Sequence, residues 1–171
     1  RGIGAAACTL LAARGHAVAV NYTRDAAAAE ALVARLRAEG GQALAIQADV
    51  ADAAQVAAMF ERIDREMPLL AGLVNNAGVV DLPARVDEMD AARLQRMFAI
   101  NVFGSFHCAR EAVRRMSSKH GGRGGAIVNI GSAAARIGSP NQYVDYAAAK
   151  GAIDTFTIGL AREVATEGVR V

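Results

Sequence analysis

Along most of its length the chain alternates short apolar runs with stretches in which apolar residues recur every three to four positions. A strand followed by a helix, repeated, buries both elements only as a parallel sheet with helices packed on its faces. The spacing predicts a helix over residues 4–14, stopped by Gly15, and a strand over 17–21. Asp25 then caps a helix with Leu32, Val33 and Leu36 on one face, ended by Gly40-Gly41. A strand over 43–48 precedes a cap at Asp52 and a helix striped by Val56, Phe60 and Ile63. A strand over 70–75 runs into the turn Asn75-Asn76-Ala77-Gly78.

The second half repeats the scheme with longer helices. One spans 90–116, with Leu94, Phe98, Val102, Ala109 and Val113 along its apolar side. Residues 121–125 are read as a flexible glycine-rich connector, 126–130 as a strand, and 146–166 as a helix carrying Ile153, Phe156, Leu160 and Val164. The expectation is one doubly wound α/β domain over residues 1–171. Its first residues, Arg1-Gly2-Ile3-Gly4, follow no strand and no Met, and its last, Val169-Arg170-Val171, read as part of a strand. The chain therefore reads as an internal piece truncated at both ends, expected neither to fold stably nor to turn over alone, because unpaired inner strand edges are exposed.

Composition narrows the classes. With 53% hydrophobic and 21% charged residues, the chain is neither a disordered tail nor a fibrous repeat. A net charge of +2 is too weak for a nucleic-acid footprint, and no window reaches the apolar length of a membrane span. Cys8 and Cys108 make no disulfide framework, and the three histidines show no metal-ligand spacing. Both cysteines read as small buried residues of a reducing, cytoplasmic setting.

The chemistry gathers at a few positions. Gly2-Ile3-Gly4 opens a helix, where bare backbone lets a pyrophosphate approach the positive helix end, although two glycines alone are weak evidence. Tyr146 and Lys150 are four apart, so both lie on one helical face. A phenol has an ordinary pKa of about 10, and a nearby ammonium draws it toward neutrality. An ordinary surface pair on an alanine-rich helix has the same spacing. Ser132 follows a strand at its C-terminal end, where open α/β sheets place ligands; a turn or capping serine sits there too. Ser139 is a competing hydroxyl, held in a Gly-Ser-Pro loop. Asn101 is a polar residue close to an apolar stripe, either buried and bonded or half exposed.

Gly2-Ile3-Gly4, Asp49-Val50, Asn75-Asn76-Ala77-Gly78, Asn101, Ser132 and Tyr146-x-x-x-Lys150 resemble, in order and spacing, the motifs of the short-chain dehydrogenase/reductases, and in particular their glucose-dehydrogenase-like and 3-oxoacyl-carrier-protein-reductase-like members. The resemblance implies a Rossmann-type sheet and an oxidoreductase passing hydride between a nicotinamide cofactor and a carbonyl or secondary alcohol. It implies Tyr146 as acid/base, Lys150 as the group that lowers its pKa and holds the nicotinamide ribose, and Ser132 as the residue that orients the carbonyl. Asn101 would hold a water in the relay through Lys150. Asp49 and Val50 would flank the adenine, Asn75, Ala77 and Gly78 would line the adenosine side, and Gly2, Ile3 and Gly4 would serve the pyrophosphate. Gly131 stands where many relatives carry a second serine.

The position at which the family carries a ribose-binding acid is Tyr22 here, with Arg24 two residues on and Arg1 across the pocket rim. Both arginines suit a 2′-phosphate, so the expected cofactor is NADP, with NAD possible; Asp25 is taken as a cap. The helices over 90–116 and 146–166 resemble those through which the family forms homodimers and homotetramers. The competing reading is a catalytically silent dinucleotide-binding regulator or scaffold, against which intact Ser132, Tyr146 and Lys150 speak. The expected partners are a small carbonyl or alcohol substrate, with no nucleic acid, membrane or metal.

Overall fold

The computed structural model describes residues 2–171, which fall into two compact units meeting between Leu70 and Ala71. The expected contribution of Arg1 lies outside the described residues. In the first unit, α1 (Gly2–Ala13), α2 (Ala26–Ala38) and α3 (Ala53–Glu66) accompany β1 (Val18–Tyr22) and β2 (Ala43–Gln47). The strands run parallel, in register from Val18 opposite Ala43 to Tyr22 opposite Gln47. Val18, Val20, Ala29, Val33, Leu36 and Ala43 form a buried cluster, with Cys8, Leu11 and Tyr22 packed against it.

Two helix starts follow from single aspartates. The Asp25 carboxylate accepts the Ala28 N–H at 3.1 Å, and Asp52 accepts those of Ala54 and Gln55 at 2.8 and 3.2 Å. Each satisfies donors that a helix N-terminus leaves unpaired.

The second unit holds β3 (Gly72–Asn75), α4 (Ala91–Phe98), α5 (Gly104–Met116), β4 (Gly125–Asn129), α6 (Ala134–Ile137), α7 (Val144–Glu163) and β5 (Val169–Arg170). Its strands are parallel in the order β3-β4-β5. Parallel ladders connected through helices in both units establish the α/β class. Among the described residues no helix is long and apolar enough to cross a membrane.

Three details differ from expectation. The helix over 90–116 is interrupted by a π turn, Ala99–Phe103, between α4 and α5. A π turn accommodates an extra residue, so side chains spaced for one face before it are rotated relative to those after it. Within α4 itself, Met97 is the buried anchor at 1% exposure, while Leu94 is 39% exposed. Secondly, α6 is a short helix between β4 and α7 that periodicity did not show.

The third concerns residues 121–125, in which Gly122, Gly124 and Gly125 are tightly packed, so that the segment is not a flexible connector. A Cβ on Gly122 would lie 2.4 Å from the backbone of Arg115 and Met116, and one on Gly124 2.5 Å from the Gly168 carbonyl oxygen. The segment is tied down by N–H bonds from Gly122 to Ser117 O at 2.9 Å, Gly124 to Met116 O at 2.7 Å and Gly125 to Gly168 O at 3.0 Å. These glycines permit close backbone approach, the other use of a residue without a side chain.

Candidate active site

In the second unit, α7, which follows β4 and α6 in the chain, carries Tyr146 and Lys150 in its first two turns. Tyr146 is half-buried and packs against the cluster of Met97, Val102 and Ala149. Lys150 is 5% exposed; its Nζ lies 5.8 Å from the centroid of the Tyr146 ring and donates to the carbonyl oxygen of Ile130 at 2.6 Å. Burial pushes the Lys150 ammonium below its ordinary value, against the opposing pull of Asp154.

Ile130 is two residues before Ser132, so one carbonyl anchors the lysine at the strand end from which the serine loop departs. The Ser132 Oγ accepts the Ala134 N–H at 3.2 Å as α6 opens. That contact uses a lone pair and not the O–H, which remains a donor. Ser139 instead lies in the turn between α6 and α7 with φ of 46°, beside Asn141 at 59°.

Asn101 sits inside the π turn at 1% exposure. Its Nδ2 donates to Val79 O at 3.0 Å and Met97 O at 2.9 Å, and its Oδ1 accepts the Val79 N–H at 3.1 Å. The amide thus pairs both backbone groups of one residue beyond the Ala77-Gly78 turn. A Cβ on Gly78 would stand 2.8 Å from Asn101 Oδ1, so a glycine is what lets the turn close on the amide.

Asn75, at the end of β3, donates to Asn129 Oδ1 at 2.9 Å and to Ser105 O at 3.3 Å. Asn129 Nδ2 in turn donates to Thr157 Oγ1 at 2.9 Å. This chain of amides joins β3, β4 and α7. Sequence reasoning passed over Asn129 and Thr157, although a polar residue inside the apolar run Ala-Ile-Val-Asn-Ile was a signal that it must be bonded.

In the first unit, Tyr22, Arg24, Asp49 and Val50 lie at or just beyond the C-terminal ends of β1 and β2. Asn21 Nδ2 donates to Ala48 O at 2.9 Å, and Gln47 Nε2 to Thr23 O at 3.0 Å, which holds the segment with Tyr22 and Arg24 beside that with Asp49 and Val50. Asp49 is half-buried and accepts the Ala51 N–H at 3.0 Å; Val50 is buried, and Arg24 is exposed. Gly2 opens α1 at φ +60°, with nothing within 4 Å of where a Cβ would stand, and Ile3 is 64% exposed. An open, bare backbone at a helix N-terminus fits a dinucleotide pyrophosphate. Cys108 is buried, and burial with the nearby Glu111 charge raises its thiol to about 12, so it carries no thiolate chemistry near neutral pH.

Parallel α/β units of this kind belong to the Rossmann-type α/β class. The family model for short chain dehydrogenases matches residues 1–171, and the chain belongs to that family of oxidoreductases. It is 52% identical over 171 residues to the uncharacterized oxidoreductase YgfF of Escherichia coli, covering 100% of this chain and 69% of that protein. It is 37% identical to a 3-oxoacyl-[acyl-carrier-protein] reductase of Synechocystis, covering 100% of this chain and 67% of the relative. A short chain dehydrogenase from Burkholderia cenocepacia, solved in complex with NADP, superposes with a TM-score of 0.92 at 36% identity, over 100% of this chain and 67% of its own. The chain thus spans about two thirds of the length of such relatives.

Proposed function

We propose that the protein containing these residues interconverts a carbonyl compound and a secondary alcohol, using NADP(H). Gly2, Ile3 and Gly4 and the residues at the ends of β1 and β2 would hold the cofactor, whose chemistry would be to supply or accept the hydride. The side chains do the rest. The Tyr146 hydroxyl gives a proton to the carbonyl oxygen in reduction and removes it from the alcohol in oxidation. Lys150 places a positive charge beside that phenol, favouring the phenolate, and holds the nicotinamide ribose. The Ser132 O–H orients and polarises the carbonyl oxygen. Asn101 holds a water in the relay; its side-chain nitrogen is committed to Val79 and Met97 and its Oδ1 to the Val79 N–H, so its main-chain carbonyl oxygen, which also takes a long 3.5 Å contact from Ser105 Oγ, is the group for that water.

One observation carries this reading: Lys150 is buried beneath the Tyr146 ring with its ammonium bonded to the strand-end carbonyl of Ile130. Holding a charge in that position costs desolvation, which an ordinary surface Tyr–Lys pair would not bear. The test is NADPH consumption by the full-length protein across a panel of ketones and aldehydes. Tyr146→Phe is expected to lower turnover by roughly 10²- to 10⁴-fold while leaving NADPH binding intact. Binding of NADPH without consumption across the panel overturns the assignment and leaves the silent binder.

The NADP preference rests on Arg24, exposed where β1 ends, and on Tyr22 in place of an acid. The exposed apolar residues Phe103, Phe106 and Ile158, on the π turn, α5 and α7, support a homodimer or homotetramer, checked by sedimentation. The cytoplasm remains the proposed setting.

A further inference from the structure

The first turn of α7 contains a buried ion pair that the proposed chemistry does not use. The side chain of Asp145, which precedes Tyr146, is 0% exposed, and that of its partner Arg93 on α4 is 11% exposed. Arg93 Nε donates to Asp145 Oδ2 at 2.8 Å and Nη2 donates to Oδ1 at 3.3 Å. Asp145 Oδ1 also accepts the backbone N–H of Tyr146 at 2.9 Å. The remaining guanidinium nitrogen, Nη1, donates to Leu82 O at 2.7 Å, and the Arg93 N–H donates to Asp90 at 2.7 Å. Tyr143, the residue capping α7, makes no side-chain capping bond, so the carboxylate of Asp145 serves the helix start instead.

We infer that Arg93 and Asp145 are positioning residues that fix the backbone of Tyr146, an assignment that rests on the acid/base role proposed for that tyrosine. A planar guanidinium grips a carboxylate at two points and so fixes orientation as well as distance. Here the fork ties α7 to α4, and its third arm ties both to the segment at Leu82. Tyr146 is thereby held from two directions: at its own N–H by Asp145, and one turn on by the Lys150–Ile130 bond. Burial pushes the Asp145 carboxyl upward, but Arg93 and the Tyr146 N–H outweigh it and hold the group below its ordinary range, so the pair is ionised at neutral pH. A buried ion pair contributes little net stability compared with an apolar replacement of the same volume. What a fork adds is geometry, and a small misplacement of a reacting group is expensive in rate.

The experiment uses the full-length protein with NADPH and a substrate that the wild type reduces. Asp145→Ala and Arg93→Ala are expected to lower kcat on the order of 10- to 100-fold, with NADPH affinity and binding stoichiometry unchanged. Asp145→Asn, which keeps an acceptor for the Tyr146 N–H, and Arg93→Lys, which keeps the charge, are expected to recover part of that loss. Should the alanine variants fail to fold, the two conservative variants still report: wild-type kcat in both overturns the assignment. So does a fall in kcat matched by an equal fall in NADPH-binding sites, since that is loss of folded protein and not of position. Tyr146→Phe separates the two failures. If it turns over normally, the acid/base reading falls and takes the pair's role with it; if it is inactive while the conservative variants are not impaired, only the pair's role falls.

Discussion

The Asn101 amide satisfies three backbone groups at once, the N–H and carbonyl of Val79 and the carbonyl of Met97. Asn101→Ala strands them in a buried site, and a loss of about 2 kcal/mol or more is expected in urea denaturation. Gly78→Ala attacks the same contact from the other side, pressing a methyl to within 2.8 Å of Oδ1, with an expected loss of roughly 1–3 kcal/mol. Lys150 offers a pH test. Its pKa is lower folded than unfolded, so the buried charge costs stability while protonated, and that cost is relieved as pH rises from the lowered value towards 10.5. Lys150→Met removes the cost altogether. Its stability relative to wild type should therefore be greatest near neutral pH and decline as pH climbs through that window, read from paired urea midpoints.

The segments formed by a repeat of local rules were legible one element at a time. Asp25 and Asp52 announce α2 and α3 because a carboxylate needs only the N–H groups two or three residues ahead. The glycine run over 121–125 was not legible, because a glycine that permits motion and one that permits contact are the same letter. Only the backbone of Arg115, Met116 and Gly168 pressed against it distinguishes the two. Gly122→Ala is accordingly expected to cost at least the upper end of the roughly 1–3 kcal/mol typical of overpacking, whereas a flexible connector would tolerate it. The π turn was hidden for a related reason. Leu94, Phe98 and Val102 are spaced as one stripe, and an inserted turn is a displacement of hydrogen bonds that composition does not mark.

For the whole molecule, the expected consequence of the proposed dinucleotide site is linkage. A cofactor that binds only the folded state raises stability by about 2.7 kcal/mol at a hundred times its Kd. The full-length protein should show a larger rise in Tm with NADPH than with NADH at equal concentration, and Arg24→Ala should erase the difference. An equal response to both, unmoved by Arg24→Ala, removes the NADP preference.

The alternation of strands with the longer helices, the caps and the Tyr146–Lys150 spacing follow from contacts within a few residues, and a linear pattern suffices to carry them. Ser132 was legible as a strand-end residue for the same reason. The pairing of Arg93 with Asp145 spans 52 positions, and the link from Asn75 to Asn129 spans 54. Arg93 and Asp145 look like ordinary solvated charges along the chain, and the apolar run around Asn129 shows only that its amide must be bonded, not to what. The partners are fixed when packing removes water and each buried group must find its hydrogen bonds within the protein.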